Sequence, residues 1–468
     1  MLPTLLWPAG LATLTIIRLL VAAHMPLSPD EAYYWVWSRA LAPGYLDHPP
    51  MVALWIRAGT AILGDTALGI RLLAPLSAAA GSWLLARAAE DLFPGRRLGV
   101  PAAVLLNATL LMGAGAVTMT PDTPLLFFWT ATLAALARVV RTGQGPWWLA
   151  VGAASGAAMA SKYTGALLGV GIVLWLALHG RAWFRSPWLW AGGAVAAAVI
   201  APVVAWNAAH GWVSFAKQGG RTGVWHPADA LGHVGELLAG QIGLATPLVF
   251  ALMAVGVGLT QRRWRDPAFD LLRVMVGPGL LLFVLHALGD RVQANWPAIV
   301  YPAAAIAAAA TGRRWRIPAA TGFALTALVY LQATVAPIPP RRFDPSFIRL
   351  AGWDGLAREA AALSGGGFVA AENYGIASLL AWWLPGTPVV AAEPRWALFD
   401  LPGASTTTGV VLIPARRTGP DPALWSDVTL LTTLGRGRAG VEAEAYRVYR
   451  VTLRPSAPAK RLPHPGEP

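Results

Sequence analysis

Cysteine does not occur in this chain of 468 residues. That excludes a disulfide framework, a thiolate nucleophile and a cysteine metal site. Charge is scarce too: 13% of the residues are Asp, Glu, Lys or Arg, about half the ~25% typical of soluble domains. No P-loop, dinucleotide glycine turn, HExxH or nucleophile elbow stands out, so chemistry on a soluble nucleotide has no visible home. The first apolar run lacks a basic n-region and a small-residue cleavage site, which makes it a retained helix rather than a cleaved signal peptide. Repeats with a clear period are missing as well. The Ala- and Gly-rich runs have the composition of packed membrane helices, not of linkers.

Apolar surface is what the chain has in abundance. Hydrophobic residues make up 56% of it, in runs near the ~20 residues that cross a bilayer. The runs fall at approximately 4–23, 66–86, 98–117, 124–140, 146–161, 164–179, 187–206, 239–259, 270–288, 295–311 and 317–336. They predict a mainly α, polytopic membrane bundle of about eleven spans. Arginine-rich turns alternate with turns that are not. One set holds Arg87, Arg96 and Arg97, then Arg138 and Arg141, Arg181 and Arg185, Arg262, Arg263 and Arg265, and finally Arg313, Arg314 and Arg316. The other holds Asp30 to His48, Asp122, Lys162, the long loop 207–238 and Asp290. The positive-inside rule makes the first set and the N-terminus cytoplasmic and the second set extracytoplasmic. The formal charge of +13 then reports topology rather than nucleic-acid binding.

Residues 1–336 therefore read as the membrane domain, with an extracytoplasmic loop at 24–65. Past Pro337 the character changes. A basic, proline-rich linker, VAPIPPRRFDPS, leads into charged helical and strand-like segments. These include FVAAENYGIASLLAWWL, the β-type run GVVLIP and the alternating AYRVYRVTL. Residues 337–455 are expected to form a small extracytoplasmic α/β domain, and 456–468 a disordered Pro-rich tail.

Candidate chemistry concentrates in the first loop, Leu27 to Pro50, where Asp30, Glu31, Asp47 and His48 stand among Tyr33, Tyr34, Trp35, Trp37 and Tyr45. A carboxylate beside apolar surface can be tuned toward general-base work. Ser28-Pro29-Asp30-Glu31 is equally a helix start, with Ser28 as N-cap and acidic residues in the first turn. The two roles are compatible. Asp122, in TMTPDTP, is held rigidly between Pro121 and Pro124 at a membrane boundary, for chemistry or as ordinary turn and N-cap. Lys162 is the only Lys or Arg between Arg141 and Arg181. Its ammonium either meets an anion such as a lipid phosphate or snorkels to the interface. His48, in LDHPP, and the pair Lys217 and Arg221, in KQGGRTG, are weaker signals. Asp290-Arg291 with Trp296 reads as an interfacial anchor.

Together these residues resemble the polyprenyl-phosphate-sugar-dependent glycosyltransferases of the GT-C class. The likeness is to the bacterial family 39 group, related to protein O-mannosyltransferases and to the aminoarabinose transferase that modifies lipid A. It rests on SPDEAYYW, HPP, TPDTP, SKYTG, NWPA and AENYGIASLL, in that order, across nearly the whole membrane part and into the external domain. The resemblance implies an inverting transfer from an undecaprenyl- or dolichyl-phosphate sugar on the outer face of the plasma membrane. The acceptor would be a membrane-associated envelope molecule such as lipid A, another glycolipid, a glycan or protein. By resemblance, Asp30 takes the catalytic acidic position with Glu31 beside it, and Asp122 the second acidic position. Lys162 matches a basic position for the donor phosphate. His48, Tyr34, Tyr163 and Arg221 complete the substrate-binding candidates. Members of the group differ on metal dependence, so a divalent ion is a possible cofactor. Asp30, Glu31, Asp122 and His48 carry suitable donor atoms, but their spacing is not diagnostic. The rival reading from another class is a transporter or flippase of lipid-linked anions, which paired repeats would favour.

Overall fold

A computed structural model describes residues 2–220, 225–339 and 344–467 of the chain. The chain divides into two compact units. One comprises Met1–Leu20, Pro43–Val52 and Leu73–Leu328; the other comprises Val21–Ala42, Ala53–Leu72 and Val329–Pro468.

The first unit is helical. Six helices among the described residues are long and apolar enough to cross a membrane: Leu6–His24, Ala67–Leu92, Asp122–Thr142, Pro187–Ala209, Pro267–Ala287 and Arg316–Thr334. Several run on into the second unit at one end. The protein is a multi-pass membrane protein. The predicted span at 239–259 is not one helix. Ala230–Ala245 and Pro247–Arg262 meet at a bend of 108°. Pro247 cannot donate its missing N–H into a continuing ladder, and Thr246 turns the chain with φ of 65°. A buried β-branched residue in that left-handed region costs on the order of 1–3 kcal/mol, which the surrounding packing must offset. The predicted span at 98–117 is also broken. Gly99–Asn107 ends, and Thr109 recaps Leu110–Gly115 by accepting from the Met112 N–H. The loop expected at 207–238 is partly helical, with Val213–Gly220 and the start of Ala230–Ala245 in it.

Close packing explains the small residues. A Cβ on Gly152 would lie 2.0 Å from the Gly192 carbonyl oxygen, and one on Gly192 would lie 2.3 Å from that of Trp148. Only glycine lets Trp147–Met159 and Pro187–Ala209 approach so closely. A polar chain crosses the same unit: Arg18 Nη1 donates to Asn107 Oδ1 at 2.7 Å, and Asn107 Nδ2 to Ser82 Oγ at 2.7 Å. Arg18 is buried inside a predicted span, where an ammonium or guanidinium must find acceptors.

The second unit holds the only sheet among the described residues. Its six strands are β1 (Phe368–Ala371), β2 (Val389–Ala392), β3 (Thr408–Pro414), β4 (Trp425–Arg438), β5 (Val441–Leu453) and β6 (Ala459–Arg461), in the order β4-β5-β3-β1-β2-β6. β1 is parallel to both β2 and β3, and the helix Tyr374–Trp383 makes the crossover from β1 to β2. β1 and β2 are buried on both faces, as parallel strands covered by helices are. β4 and β5 form a hairpin whose two-residue loop, Ala439-Gly440, has φ of 52° and 76°. Positive φ at both positions marks a type I′ turn, whose twist matches that of the strands. Phe368, Val390, Val411, Ile413, Trp425 and Val451 pack one core of the sheet. The tail expected to be disordered carries β6, paired antiparallel with β2. Backbone pairing with a buried edge outweighs its proline-rich composition.

Candidate functional site

In the first unit, Asp122 opens the helix Asp122–Thr142. Its two carboxylate oxygens are divided between two partners. Oδ1 accepts from Lys162 Nζ at 2.7 Å and Oδ2 from Asn295 Nδ2 at 2.7 Å. Lys162 lies in extended backbone at the break between Trp147–Met159 and the short 3-10 turn Tyr163–Ala166, and it is buried. A cation so placed needs its carboxylate, and an ammonium has further N–H directions to offer a ligand. Asn295 was not singled out from sequence, although NWPA was; a neutral amide carries no charge signal to mark it.

Around this cluster, the Tyr163 hydroxyl lies 2.7 Å from Ser214 Oγ and accepts from Asn207 Nδ2 at 3.3 Å. The end of the first loop is fastened at three points. Asp47 Oδ1 accepts from Lys217 Nζ at 2.5 Å, the Asp47 carbonyl accepts from Gln218 Nε2 at 2.6 Å, and the Met51 N–H donates to the Ala160 carbonyl at 3.1 Å. The last bond ties His48-Pro49-Pro50 to the turn that carries Lys162. His48 itself is half-buried. Arg221 lies outside the described residues.

The second unit holds Asp30 and Glu31, whose fates differ. Ser28 caps Pro29–Arg39: its Oγ accepts from the Glu31 N–H, and Glu31 Oε2 accepts from the Ser28 N–H at 3.0 Å. The Ser28 N-cap expected from the sequence is thus one half of a reciprocal capping box. The Glu31 carboxylate is also gripped by Arg71, Nε to Oε1 at 2.6 Å and Nη2 to Oε2 at 2.8 Å. Both residues are fully buried. Glu31 therefore presents no face to a substrate, and its carboxylate ties the start of Pro29–Arg39 to Arg71.

Asp30 remains reachable, with a third of its side chain exposed. Oδ1 accepts from the Tyr374 hydroxyl at 3.3 Å, and Oδ2 lies 3.5 Å from Arg349 Nη2. Tyr374 begins its helix because Asn373 caps it, accepting from the Gly375 and Ile376 N–H groups. A Cβ on Gly375 would lie 2.8 Å from Pro29 Cβ, so glycine lets this helix start against the start of Pro29–Arg39. The AENYGIASLL stretch thus delivers a phenol to Asp30. The Tyr33 ring lies tilted against that of Tyr374, centroids 4.4 Å apart, and the Arg395 guanidinium lies 4.1 Å from the Tyr374 ring centre. Tyr34 is buried edge-on against Trp37. Among the described residues no three His, Asp or Glu side chains converge to hold a metal ion.

A family model described as dolichyl-phosphate-mannose-protein mannosyltransferase matches residues 47–206. The chain is 29% identical over 356 residues to lipid A galacturonosyltransferase RgtD of Rhizobium johnstonii, covering 72% of each chain. Its fold resembles that of ArnT from Cupriavidus metallidurans. The apo structure matches with a TM-score of 0.60 at 16% identity, covering 95% of this chain and 97% of that one. The structure bound to undecaprenyl phosphate matches with a TM-score of 0.63 at 14% identity, with the same coverage. Membrane helices, mixed sheet and these likenesses make the chain similar to glycosyltransferases of the GT-C class. Within that class the likeness is to the bacterial family 39 group.

Proposed function

We propose that this enzyme transfers a sugar from an undecaprenyl-phosphate donor to lipid A or a similar envelope glycolipid. The observation that carries the reading is the Asp122–Lys162–Asn295 cluster, a buried cation held by a carboxylate that a neighbouring amide fixes. The donor class is supported by the relative solved with undecaprenyl phosphate, and the acceptor class by the relative named for lipid A.

Lys162 holds the donor phosphate by charge-assisted hydrogen bonds, with Asp122 and Asn295 fixing its direction. Asp30 takes the acceptor's proton. The acceptor oxygen attacks the anomeric carbon in line, the carbon–oxygen bond to phosphate breaks, and polyprenyl phosphate leaves with the electron pair. Attack opposite the leaving group inverts the anomeric centre. Tyr374 and Arg349 aim the Asp30 carboxylate.

The topology in this reading has about eleven crossings. The shorter helices, including Tyr163–His179 and Trp296–Ala310, supply those beyond the long ones. The sites and residues 337–455 face the periplasm, as the alternation of basic turns requires.

The test uses the full-length enzyme in nanodiscs, a panel of radiolabelled undecaprenyl-phosphate sugars, and lipid A. Wild type is expected to label lipid A with at least one donor, and Lys162→Ala to slow the labelling about 10²–10³-fold. Movement of intact donor across a liposome bilayer, with no labelled product, would establish the transporter reading instead.

A further inference from the structure

The second unit contains a cavity of about 320 Å³ that the transfer reaction leaves unused. Its volume is at the small end of the ~300–1,000 Å³ typical of ligand pockets. Two of its lining residues fix its level in the bilayer. His24 ends the apolar helix Leu6–His24, and Thr334 ends Arg316–Thr334. The cavity therefore opens where two spans stop, at the boundary between hydrocarbon and water.

Its lining combines flat apolar faces with hydrogen-bonding groups. Trp353 and Trp383 supply indole rings; Gln332, Asp344 and Asp354 supply amide and carboxylate oxygens; Arg438 supplies a guanidinium. The Arg436 guanidinium stacks 4.1 Å from the Trp353 ring centre and holds that wall in place, while also donating to the Ala351 carbonyl at 3.1 Å. Asp344 is fixed as well, accepting from Gln332 Nε2 at 2.9 Å and from the Ser346 N–H at 2.9 Å. The carboxylates of Asp344 and Asp354 are offset by Arg438 and by Arg358, which pairs with Asp354 at 3.0 Å, so the lining carries little net charge to draw an ion. Sugar rings suit it better, because their C–H faces lie on indole and their hydroxyls both donate and accept.

We propose that this cavity binds the uncharged carbohydrate headgroup of a membrane-anchored glycolipid. The lipid tail stays in the bilayer beside the two helix ends, and the headgroup enters from the interface. The inference rests on the multi-pass placement of the chain and stands whether or not the bound glycolipid is the acceptor of transfer.

The probe is monoglucosyl diacylglycerol, compared with phosphatidylglycerol of the same acyl chains. Each is added to detergent-solubilised full-length protein, and the adducts are read by native mass spectrometry. Expected is a one-to-one adduct at least tenfold more abundant for the glucosyl lipid, reduced at least tenfold in Trp383→Ala and in Asp354→Asn. Asp354→Asn keeps size and leaves the buried core alone, so it decides the matter should Trp383→Ala fail to fold. Equal adducts for the two lipids, or glucosyl adducts unchanged in a folded variant, would overturn the site. Labelling of lipid A, measured on the same preparations, separates failure of this site from failure of the transfer reading.

Discussion

Arg71 spends all five guanidinium N–H donors inside the protein, and two of them go to Glu31. The remaining three reach the carbonyls of Ala22, Met25 and Pro26 at 2.9, 2.5 and 2.8 Å. One side chain thus clamps the segment before the Asp30 helix and, through Glu31, the helix start itself. Leaving one partner of such a pair buried and alone costs on the order of 3–5 kcal/mol. Glu31→Gln and Arg71→Ala should each lower the thermal midpoint of the purified protein by several degrees. Arg71→Lys should rescue little, because an ammonium cannot reproduce the two-pronged contact. A midpoint for Arg71→Lys equal to wild type would show that the fork geometry is immaterial.

The Lys162 cluster predicts graded losses. Removing a preorganised electrostatic group from a transfer site costs about 10²–10³ in kcat. Lys162→Ala should fall in that range when initial rates are measured at saturating acceptor. Asn295→Ala removes only the bond that aims Asp122, so its loss should be smaller and should appear mainly in the donor KM. If Asn295→Ala were as damaging as Lys162→Ala, the amide would have to contact the substrate itself.

Isolated charge was the legible part of this site. Lys162 and Asp122 stood out because each sits alone among apolar residues, where ionisation demands a partner. Their mutual contact was not legible, since 40 residues separate them and no short-range pattern records a pairing of that kind. Arg18 and Arg71 carried the same signal, a lone arginine inside a predicted span, and both prove to be buried and paired across long stretches of sequence. The Ser28 N-cap was legible because its partner is three residues away. β3 and β5 were visible as apolar or alternating runs. β4 was hidden by register shifts near Ser426, Leu430 and Arg436 that break its alternation, and β6 by its short length and proline-rich setting.

Asp30 separates a proton acceptor from a helix cap. Its Asn variant keeps the shape and the ability to accept a hydrogen bond from Tyr374 but loses basicity. Asp30→Asn should therefore fold with an unchanged thermal midpoint and transfer sugar ~10²–10⁴-fold more slowly, the range for loss of a general base. Tyr374→Phe should cost less, roughly tenfold or below, since it removes one orienting hydrogen bond. Full activity of Asp30→Asn against a hydroxyl acceptor would end the base assignment.

The sheet offers a pH test outside the membrane. Burial, first of all, pushes the Tyr446 phenol above its ordinary range, with Arg436 acting against that shift and the hydrogen bond to Glu444 acting with it. The Tyr446 hydroxyl donates to Glu444 Oε2 at 2.5 Å and accepts from Arg436 Nε at 3.2 Å. The folded state thus favours the neutral phenol more than the unfolded chain does. That preference contributes its full stability below the unfolded value of about 10 and is lost as pH rises from there toward the higher folded value. The expected outcome is a thermal midpoint that drops more steeply above about pH 10 in wild type than in Tyr446→Phe. At neutral pH the same variant should be less stable than wild type, because Glu444 loses its hydroxyl donor. Parallel pH profiles for the two proteins would mean that the phenolate forms in the fold as readily as in the open chain.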